Sequence, residues 1–476
     1  MTATASPQTA EAASDRRQTV ARRGWILAWL AFLPLVVFRA GVLSEGDTFW
    51  QIRIGRQILA GHAIPTTDAF SWTAHGKPYF QNSWGFDVLL AVADRLGGLP
   101  AVAVLCALIT LAIVALALAL ARTLGASAAA SAIAFFLALP LLTGWLSARP
   151  QLVDYTAVLG LALLLRQIES GRGRSGAAAL AGLLAVAWIN LHAAALLAVA
   201  IAGVSTILLA VTRRGSRWRY AAAATVAAAA GCLVNPYGLG VLHQAGQVQA
   251  DSSGVITEWA PVNLGNPVQD LTLAAGVAAL VVAWRRREAT LTAALAVSIV
   301  GSAEAVRFLP FVVLLAMPVL ATYVSDPPDP IRRYLTSRRV MFQRGGALGF
   351  VALVALAVPS LTHIGRPEPA TYPVGLVADI PHSCRLFTTD LIGSYVILAR
   401  PDVPVSLDTR NNLYGPAQLV AEERVLHGRG NVSRGLAGAG CVLVPRTYGL
   451  AQRLRNDPHW HVRAADTIAV LYLRRS

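Results

Sequence analysis

The chain has 476 residues, of which 55% are hydrophobic and 14% are charged, and its formal net charge is +15. Soluble proteins contain about 25% charged residues, so this composition and the mean hydropathy of +0.55 exclude an ordinary soluble protein. The basic residues lie mostly in short loops between apolar runs, where Arg and Lys orient membrane segments. We therefore predict a polytopic α-helical membrane protein and no nucleic-acid partner.

Residues 1–23 are polar, rich in Ala, Ser and Thr, and end in Arg pairs, which indicates a disordered cytoplasmic tail. Apolar runs recur through residues 24–364, the predicted transmembrane domain. We predict about eleven transmembrane helices, at 24–43, 99–121, 127–146, 149–166, 176–190, 192–212, 219–235, 269–284, 288–304, 307–323 and 345–364. Residues 176–212 could instead form one long kinked helix, which would reverse the side of every later loop.

The basic loops distinguish these two counts. With eleven spans and a cytoplasmic N-terminus, the basic loops 166–176, 213–219, 284–288 and 329–344 all face the cytoplasm, as the positive-inside rule requires. The same count places the unusual polar motifs at the outer face: SEGDTFWQIRIG, LSARPQL, WINLHAA, NPYG, ITEWAP and SAEAVRF. Any chemistry is therefore expected at the outer face.

The first outer loop, 44–98, is long and contains two helical patterns. The motif DTFWQIRIGRQIL fits an amphipathic helix in the membrane interface, which Gly61 and Pro65 end. The motif WGFDVLLAVADRLGG predicts a second interfacial helix that stops at Gly97 and Gly98.

Residues 365–476 have the pattern of a small α/β domain on the outer side. Predicted strands at 384–389, 403–408, 441–445 and 467–473 alternate with helical patterns near 391–399, 416–427 and 447–455, which favours a mostly parallel sheet. Cys384 and Cys441 begin two of these strands and are either bridged or free. Cys106 and Cys232 lie in predicted spans as small apolar residues.

Acidic residues are scarce, yet Glu45 and Asp47 follow the first apolar run directly. Asp47 could be a solvated residue at a helix end. It could also be a general base for an acceptor hydroxyl or a ligand for a divalent cation.

Basic and polar groups recur at the outer helix ends. Arg149, His192 and Arg307 either lie at the interface with their polar ends toward water or together bind a phosphate, whose oxygens a guanidinium contacts in pairs. Asn190 could form a helix–helix hydrogen bond or a substrate contact, and Glu258 could line a pocket. The chain contains no phosphate-binding loop or dinucleotide motif, so we expect no nucleotide cofactor.

The order of these motifs resembles a bacterial polytopic group related to the GT-C glycosyltransferases. The resemblance runs from about residue 44 to the C-terminus, and its motifs are DTFWQIRIGRQILAGHAIPTTDAFSW, ARPQL, WINLH, NPYG, EW, RFLPFVVLLAMPVLA and GSYVILARPDVPVSLDTRNNLYG. GT-C enzymes use a polyprenyl-phosphate sugar donor and an acidic residue in the first outer loop. The resemblance implies Asp47 as the base or a metal contact, with Glu45 the alternative.

The same resemblance implies Arg149, His192 and Arg307 as contacts of the donor phosphate. The remaining candidate substrate contacts are Arg53, Asp68, Asn190, Glu258 and Glu304. In the motif SLDTRNNLY, the residues Asp408, Arg410 and Tyr414 either bind an acceptor or hold the outer domain together, and we favour the second role.

The expected function is inverting transfer of a sugar to a glycan, lipid or protein acceptor at the outer face of the bacterial inner membrane. A divalent cation is an optional cofactor. The alternatives are a transporter or flippase of a lipid-linked saccharide, or a non-catalytic scaffold for envelope assembly.

Overall fold

The computed structural model describes residues 22–172, 175–241, 244, 246, 257–326 and 329–475. The predicted disordered tail therefore lies almost wholly outside the described residues. The helices up to residue 357 are α1 (22–30), α2 (Leu33–Arg39), α3 (Gly46–Gly61), α4 (Trp84–Thr123), α5 (Ala128–Leu142), α6 (Gln151–Glu169), α7 (Ser175–Leu191), α8 (Leu196–Val211), α9 (Arg217–Leu233), α10 (Pro267–Arg285), α11 (Ala289–Glu304), α12 (Leu309–Ser325), α13 (Asp329–Ser337) and α14 (Arg339–Ala357).

Six helices within the described ranges are long and apolar enough to cross a membrane. They are Trp84–Thr123, Gln151–Glu169, Ala193–Val211, Pro267–Arg285, Val306–Ser325 and Arg344–Thr362. Every later predicted span contains a helix, but α5, α7, α9 and α11 are shorter, so the count of eleven crossings stays a prediction.

The first predicted span, 24–43, is wrong as a single helix. The chain forms a turn at residues 31–32 between α1 and α2. Pro34 lies in the first turn of α2, where its missing N–H removes the bond that would join the two helices.

Residues 176–212 form two helices rather than one kinked helix. Gly182 lies against Ala227, and Asn190 near the end of α7 donates to the Val234 carbonyl at 2.7 Å, so α7 runs parallel to α9. Thr206 instead bonds Thr225, and the Cys232 thiol bonds the Ala195 carbonyl, so α8 runs antiparallel to α9. The chain therefore reverses direction at His192.

Three of the basic loops meet at one end of the bundle. Arg166, in the last turn of α6, pairs with Glu288 before α11. Glu169 accepts hydrogen bonds from the backbone N–H groups of Ala289 and Thr290 at 2.6 and 3.2 Å. At a rise of 1.5 Å per residue, α6 is roughly 28 Å long. Its N-terminus therefore lies at the end of the bundle opposite to the basic loops.

The first outer loop contains the two predicted helices. The second forms the start of α4, and Gly97 and Gly98 have non-helical dihedral angles that kink α4 there. Phe49, Ile52 and Ile54 of α3 are buried inside the protein, so its apolar side chains pack on protein, and its position at the membrane interface stays a prediction. Gly55 allows this close packing, since a Cβ there would lie 2.0 Å from the Asp87 carbonyl oxygen.

The C-terminal α/β unit contains one four-stranded sheet and several short helices. Its elements are β2 (Arg366–Pro367), α15 (Val374–Val377), β3 (Leu386–Thr388), α16 (Asp390–Ala399), α17 (Asn411–Tyr414), α18 (Pro416–Leu426), α19 (Val432–Gly435), β4 (Cys441–Pro445), α20 (Gly449–Arg455), β5 (Trp460–Ala465) and β6 (Ala469–Arg474). The sheet order is β3–β4–β6–β5.

The prediction of a mostly parallel sheet is wrong. Only β3 and β4 are parallel, whereas β6 runs antiparallel to both β4 and β5. The predicted strand 403–408 is reduced to isolated bridges at Val405, and β5 was not predicted because its exposed positions lack a regular apolar pattern. Cys384 and Cys441 form a disulfide beside β3 and β4.

The first outer loop and the C-terminal unit pack directly on each other. The strand β1 (Val42–Leu43) pairs with β2, and Ser71 forms a parallel bridge with Val405. The Phe49 ring of α3 makes edge contacts with Tyr372 and Tyr395 at 5.0 and 5.1 Å between centroids. These contacts bring the residues after 400 beside the start of α3.

Candidate functional site

A cavity of about 470 Å³ lies where the first outer loop, the membrane helices and the C-terminal unit meet. It lies at the N-terminus of α6, the end of the bundle opposite to the basic loops. Charged and polar side chains make up much of its wall: Asp47, Gln51, Asn82, Arg149, Gln151, Asp154, His192, Glu258, Arg307, Thr409, Arg410, Asn411 and Asn412.

Asp47 occupies the first turn of α3 and faces this cavity. Its Oδ1 accepts hydrogen bonds from the Thr409 hydroxyl at 2.6 Å and from the Trp50 indole at 3.2 Å. Its Oδ2 lies 3.5 Å from Nη2 of Arg149. The carboxylate is therefore held in one orientation, and its side chain keeps 20% of its surface exposed.

Arg149, two residues before α6, is surrounded by three carboxylates. Its Nη1 lies 2.5 Å from Glu258, and its Nε lies 3.4 Å from Glu45, in addition to the contact with Asp47. Burial by itself lowers the pKa of Arg149, but Asp47, Glu45 and Glu258 together raise it above its ordinary value. Arg149 therefore stays charged, and its charge is already neutralised within the protein.

Glu45 precedes α3 and differs from Asp47 in its surroundings. Burial raises the pKa of the Glu45 carboxyl above its ordinary value, and Arg149 opposes that shift. Glu45 contacts Arg149 but does not line the cavity. Of the two acidic residues, Asp47 is the one that a molecule in the cavity can contact.

A buried aspartate orients His192 at the reversal between α7 and α8. Asp154 of α6 accepts a hydrogen bond from the Trp188 indole at 2.6 Å, and its Oδ2 lies 2.7 Å from Nδ1 of His192. Because Nδ1 is engaged, Nε2 is the ring nitrogen left for a molecule in the cavity.

Arg307 lies in the short turn before α12, and its guanidinium lies 4.2 Å from the Trp259 ring centroid. Within the part of the chain that the structure describes, its N–H groups have no hydrogen-bond acceptor and no carboxylate in ion-pair contact. Stacking on a ring leaves the edge of a guanidinium available for an anion. Arg307 is therefore better placed than Arg149 to bind a ligand phosphate.

The segment 408–414 of the C-terminal unit closes one side of the cavity. Arg410 forms ion pairs of 2.6 Å with both Asp68 and Asp408, and the Tyr414 hydroxyl donates to Asp408 at 2.6 Å. Burial alone lowers the pKa of Arg410, but Asp408 and Asp68 raise it well above its ordinary value. These contacts join the segment to the first outer loop, while Thr409, Asn411 and Asn412 face the cavity.

The structure brings five of the predicted residues to the cavity wall and leaves five elsewhere. The lining residues are Asp47, Arg149, His192, Glu258 and Arg307; those outside are Glu45, Arg53, Asp68, Asn190 and Glu304. Asp68 is buried against Arg410, and Asn190 bonds the carbonyls of Val186 and Val234. Arg53 has a buried Nε without an acceptor among the described residues, and Glu304 is exposed.

Sequence reasoning missed Asp154 and Thr409. Asp154 is an ionisable residue inside a predicted span, which by itself is a signal of function. Thr409 left no comparable signal, because its contact with Asp47 joins residues 362 positions apart.

Asp47 is the predicted metal contact. Among the described residues, no group of three or more His, Cys, Asp or Glu side chains could hold a metal ion. The neighbouring carboxylates, Glu45 and Glu258, contact the Arg149 guanidinium instead. A metal contact at Asp47 stays a prediction.

Comparison with solved structures shows the fold. The apo structure of ArnT from Cupriavidus metallidurans matches with a TM-score of 0.57 and 16% identity, over 95% of this chain and 98% of that chain. The ArnT structure bound to undecaprenyl phosphate has a TM-score of 0.58, 16% identity, and coverage of 94% and 98%.

Two further solved structures are similar. The archaeal oligosaccharyltransferase AglB from Archaeoglobus fulgidus, in complex with an inhibitory peptide and a dolichol-phosphate, has a TM-score of 0.58 and 13% identity over 95% of this chain and 74% of that chain. The mycobacterial arabinofuranosyltransferase AftD has a TM-score of 0.54 and 15% identity, over 96% and 40%.

ArnT, AglB and AftD are all GT-C superfamily membrane glycosyltransferases, and the chain shares their fold. No family model and no curated protein matches the chain.

Proposed function

We propose that this protein is a membrane glycosyltransferase of the inverting type, which moves a sugar from a polyprenyl-phosphate donor to a hydroxyl group of an envelope acceptor. The observation that supports this most strongly is the shared cavity of Asp47, His192 and Arg307 in a GT-C fold. The polyprenyl phosphates in the ArnT and AglB structures support a lipid-linked donor.

Asp47 is the proposed general base. Its Oδ1 is held by Thr409 and Trp50, so Oδ2 is the atom that receives the proton from the acceptor hydroxyl. Arg149 lies 3.5 Å from Oδ2 and helps to hold the carboxylate in this orientation. The deprotonated oxygen then attacks the anomeric carbon as the bond to the donor phosphate breaks, with inversion at that carbon.

Arg307 and His192 are the proposed contacts of the leaving phosphate. Negative charge on this phosphate grows as the glycosidic bond breaks, so cationic donors placed there stabilise the transition state more than the ground state. Arg307 supplies N–H groups that have no protein acceptor among the described residues. His192 supplies Nε2, because Asp154 holds its other nitrogen. Arg149 acts at the base and not at the phosphate, since its charge is neutralised.

The direct test is release of polyprenyl phosphate. The purified protein in detergent is mixed with radiolabelled polyprenyl-phosphate sugars and an envelope extract, and the lipid and sugar products are separated. We expect acceptor-dependent release of the polyprenyl phosphate together with a labelled product. Movement of intact lipid-linked sugar across liposomes, with no bond cleavage, would identify a flippase and overturn the proposal.

Replacing Arg307 with glutamine is expected to raise the KM for the lipid donor by about 30-fold, because a charge-assisted hydrogen bond to phosphate is lost. The decrease in kcat should be comparable or larger, since the phosphate gains charge in the transition state. The matched control is Arg285→Gln at the opposite end of the bundle, which should leave both constants unchanged. Equal effects of the two substitutions would rule out a donor contact at Arg307.

Replacing Thr409 with valine keeps the side-chain volume but removes the hydroxyl that donates to Asp47. We expect about a tenfold decrease in kcat, because the carboxylate loses one of its fixed hydrogen bonds. Thr409→Ser, which keeps the hydroxyl, should restore kcat, and an unchanged kcat in Thr409→Val would contradict this positioning role.

A further inference from the structure

A second recess, of about 570 Å³, lies at the basic end of the bundle and belongs to no part of the proposed transfer site. It is lined by residues of the loop between α8 and α9 and by the end of α10: Arg213, Arg214, Gly215, Ser216, Arg217 and Arg287. Four of these six residues are arginines. The positive-inside rule accounts for basic loops in general, but it does not require two of them to converge on one recess.

The positive charge of this recess is only partly neutralised. Glu169 is the nearby carboxylate, and it lies 3.6 Å from Arg214 while it accepts backbone N–H groups from Ala289 and Thr290. Arg217 donates to the Glu169 backbone carbonyl, which carries no full charge. Within the described ranges, Arg213 and Arg287 have no carboxylate in ion-pair contact. The recess therefore keeps a large excess of positive charge.

Backbone conformation adds an independent observation. Arg213 and Arg287 have φ angles of 50° and 57°, the left-handed region that favours glycine. Each directly follows the last residues of a helix, where glycine is the usual choice. Non-glycine residues in this region are strained and are concentrated at functional sites. The side chain of Arg214 also donates to the Arg287 carbonyl, which joins the two loops across the recess.

The surroundings favour a lipid as the source of the anion. Ile207 and Val211 of α8 are 62% and 73% exposed, so the end of α8 that precedes the recess presents apolar side chains at the surface. Trp218 and Trp284, near Arg217 and Arg287 in the chain, are 39% and 60% exposed, as tryptophans at the membrane interface commonly are. A basic recess between membrane helices at this level suits an anionic headgroup.

We infer that this recess binds the phosphodiester headgroup of an anionic membrane lipid, with Arg213 and Arg287 as its principal contacts. The headgroup neutralises charge that the protein leaves unpaired and links the loop after α8 to the end of α10. This role is separate from sugar transfer, because the recess and the transfer cavity lie at opposite ends of α6.

The test is lipid binding to the full chain by native mass spectrometry, with phosphatidylglycerol titrated against a phosphatidylcholine background. The variant R213Q/R287Q should bind phosphatidylglycerol about 30-fold more weakly, the factor expected for two arginine–anion contacts. The control R285Q/R286Q also removes two positive charges near the end of α10 but changes no residue that lines the recess. It should bind within a factor of three of the unmodified protein, roughly the scatter of surface charge effects.

A second variant distinguishes a loss of lipid binding from a loss of folding. R213G/R287G removes both guanidinium groups and also relieves the left-handed backbone conformation, so it should be at least as stable as the unmodified protein while losing lipid binding. Equal lipid binding by pocket and control variants would overturn the inference. Displacement of the lipid by inorganic phosphate at millimolar concentration would assign the recess to a soluble phosphate and overturn the lipid source.

Discussion

Replacing Asp47 with asparagine is expected to slow sugar transfer by about 10³-fold, within the range that a positioned general base contributes. Asparagine keeps nearly the same shape and retains an oxygen that can accept the hydrogen bonds of Thr409 and Trp50. It has no basic oxygen for the acceptor proton. The measurement is the initial rate of polyprenyl-phosphate release at saturating donor, with equal protein in the membrane.

Glu45→Gln is the matched control for this prediction. Glu45 contacts the same arginine at 3.4 Å but does not line the cavity. We expect its rate to fall by less than about tenfold, since one of three charges around Arg149 is lost without loss of the base. Full activity of Asp47→Asn with a large loss in Glu45→Gln would assign the base to Glu45. Full activity of both variants would show that the first outer loop supplies no base for the reaction.

Replacing Arg410 with methionine is expected to destabilise the C-terminal unit and its contact with residues 44–98 by about 3–5 kcal/mol, because two carboxylates are left buried without a cation. The side chains of Arg410, Asp68 and Asp408 are at most 1% exposed, so water cannot replace the lost charge. The same change releases the segment that carries Thr409, so transfer should fall as well. Thermal unfolding of the detergent-solubilised protein measures the first effect.

Two controls separate this effect from general sensitivity to substitution. Arg424→Met, on the exposed side of α18, should change stability by less than about 0.5 kcal/mol. The triple variant Arg410→Met, Asp68→Asn, Asp408→Asn should recover part of the loss, because it removes the buried charges as well as their partner. If Arg410→Met unfolded at the same temperature as Arg424→Met, the ion pairs would not hold the segment in place.

Much of the architecture was predictable because it depends on local composition. Apolar length located a helix in every predicted span after the first, and Gly97 and Gly98 marked the kink in α4 through their backbone freedom. The charges of the loops required that 176–212 be two helices, which the pairing of α8 with α9 confirms. The sheet was predicted less well, because strand direction depends on partners distant in sequence.

The functional roles of the charged residues needed the tertiary structure. Sequence alone identified Arg149 and Arg307 as similar arginines at outer helix ends, with no means to tell them apart. The fold places three carboxylates around Arg149, one of them 109 residues away, and places Arg307 on an aromatic ring instead. These distances decide how strongly each arginine attracts an anionic ligand, because a nearby carboxylate cancels most of the attraction.

The sequence by itself therefore determined a polytopic protein whose unusual polar motifs were assigned to one face and whose acidic residue Asp47 begins the first outer helix. Hydropathy and loop charge suffice for that, since each acts over a short stretch of chain. Only the tertiary structure decided that Thr409 holds Asp47 and that Asp154 orients His192. These contacts join parts of the chain that are far apart in sequence, so the local sequence pattern does not predict them.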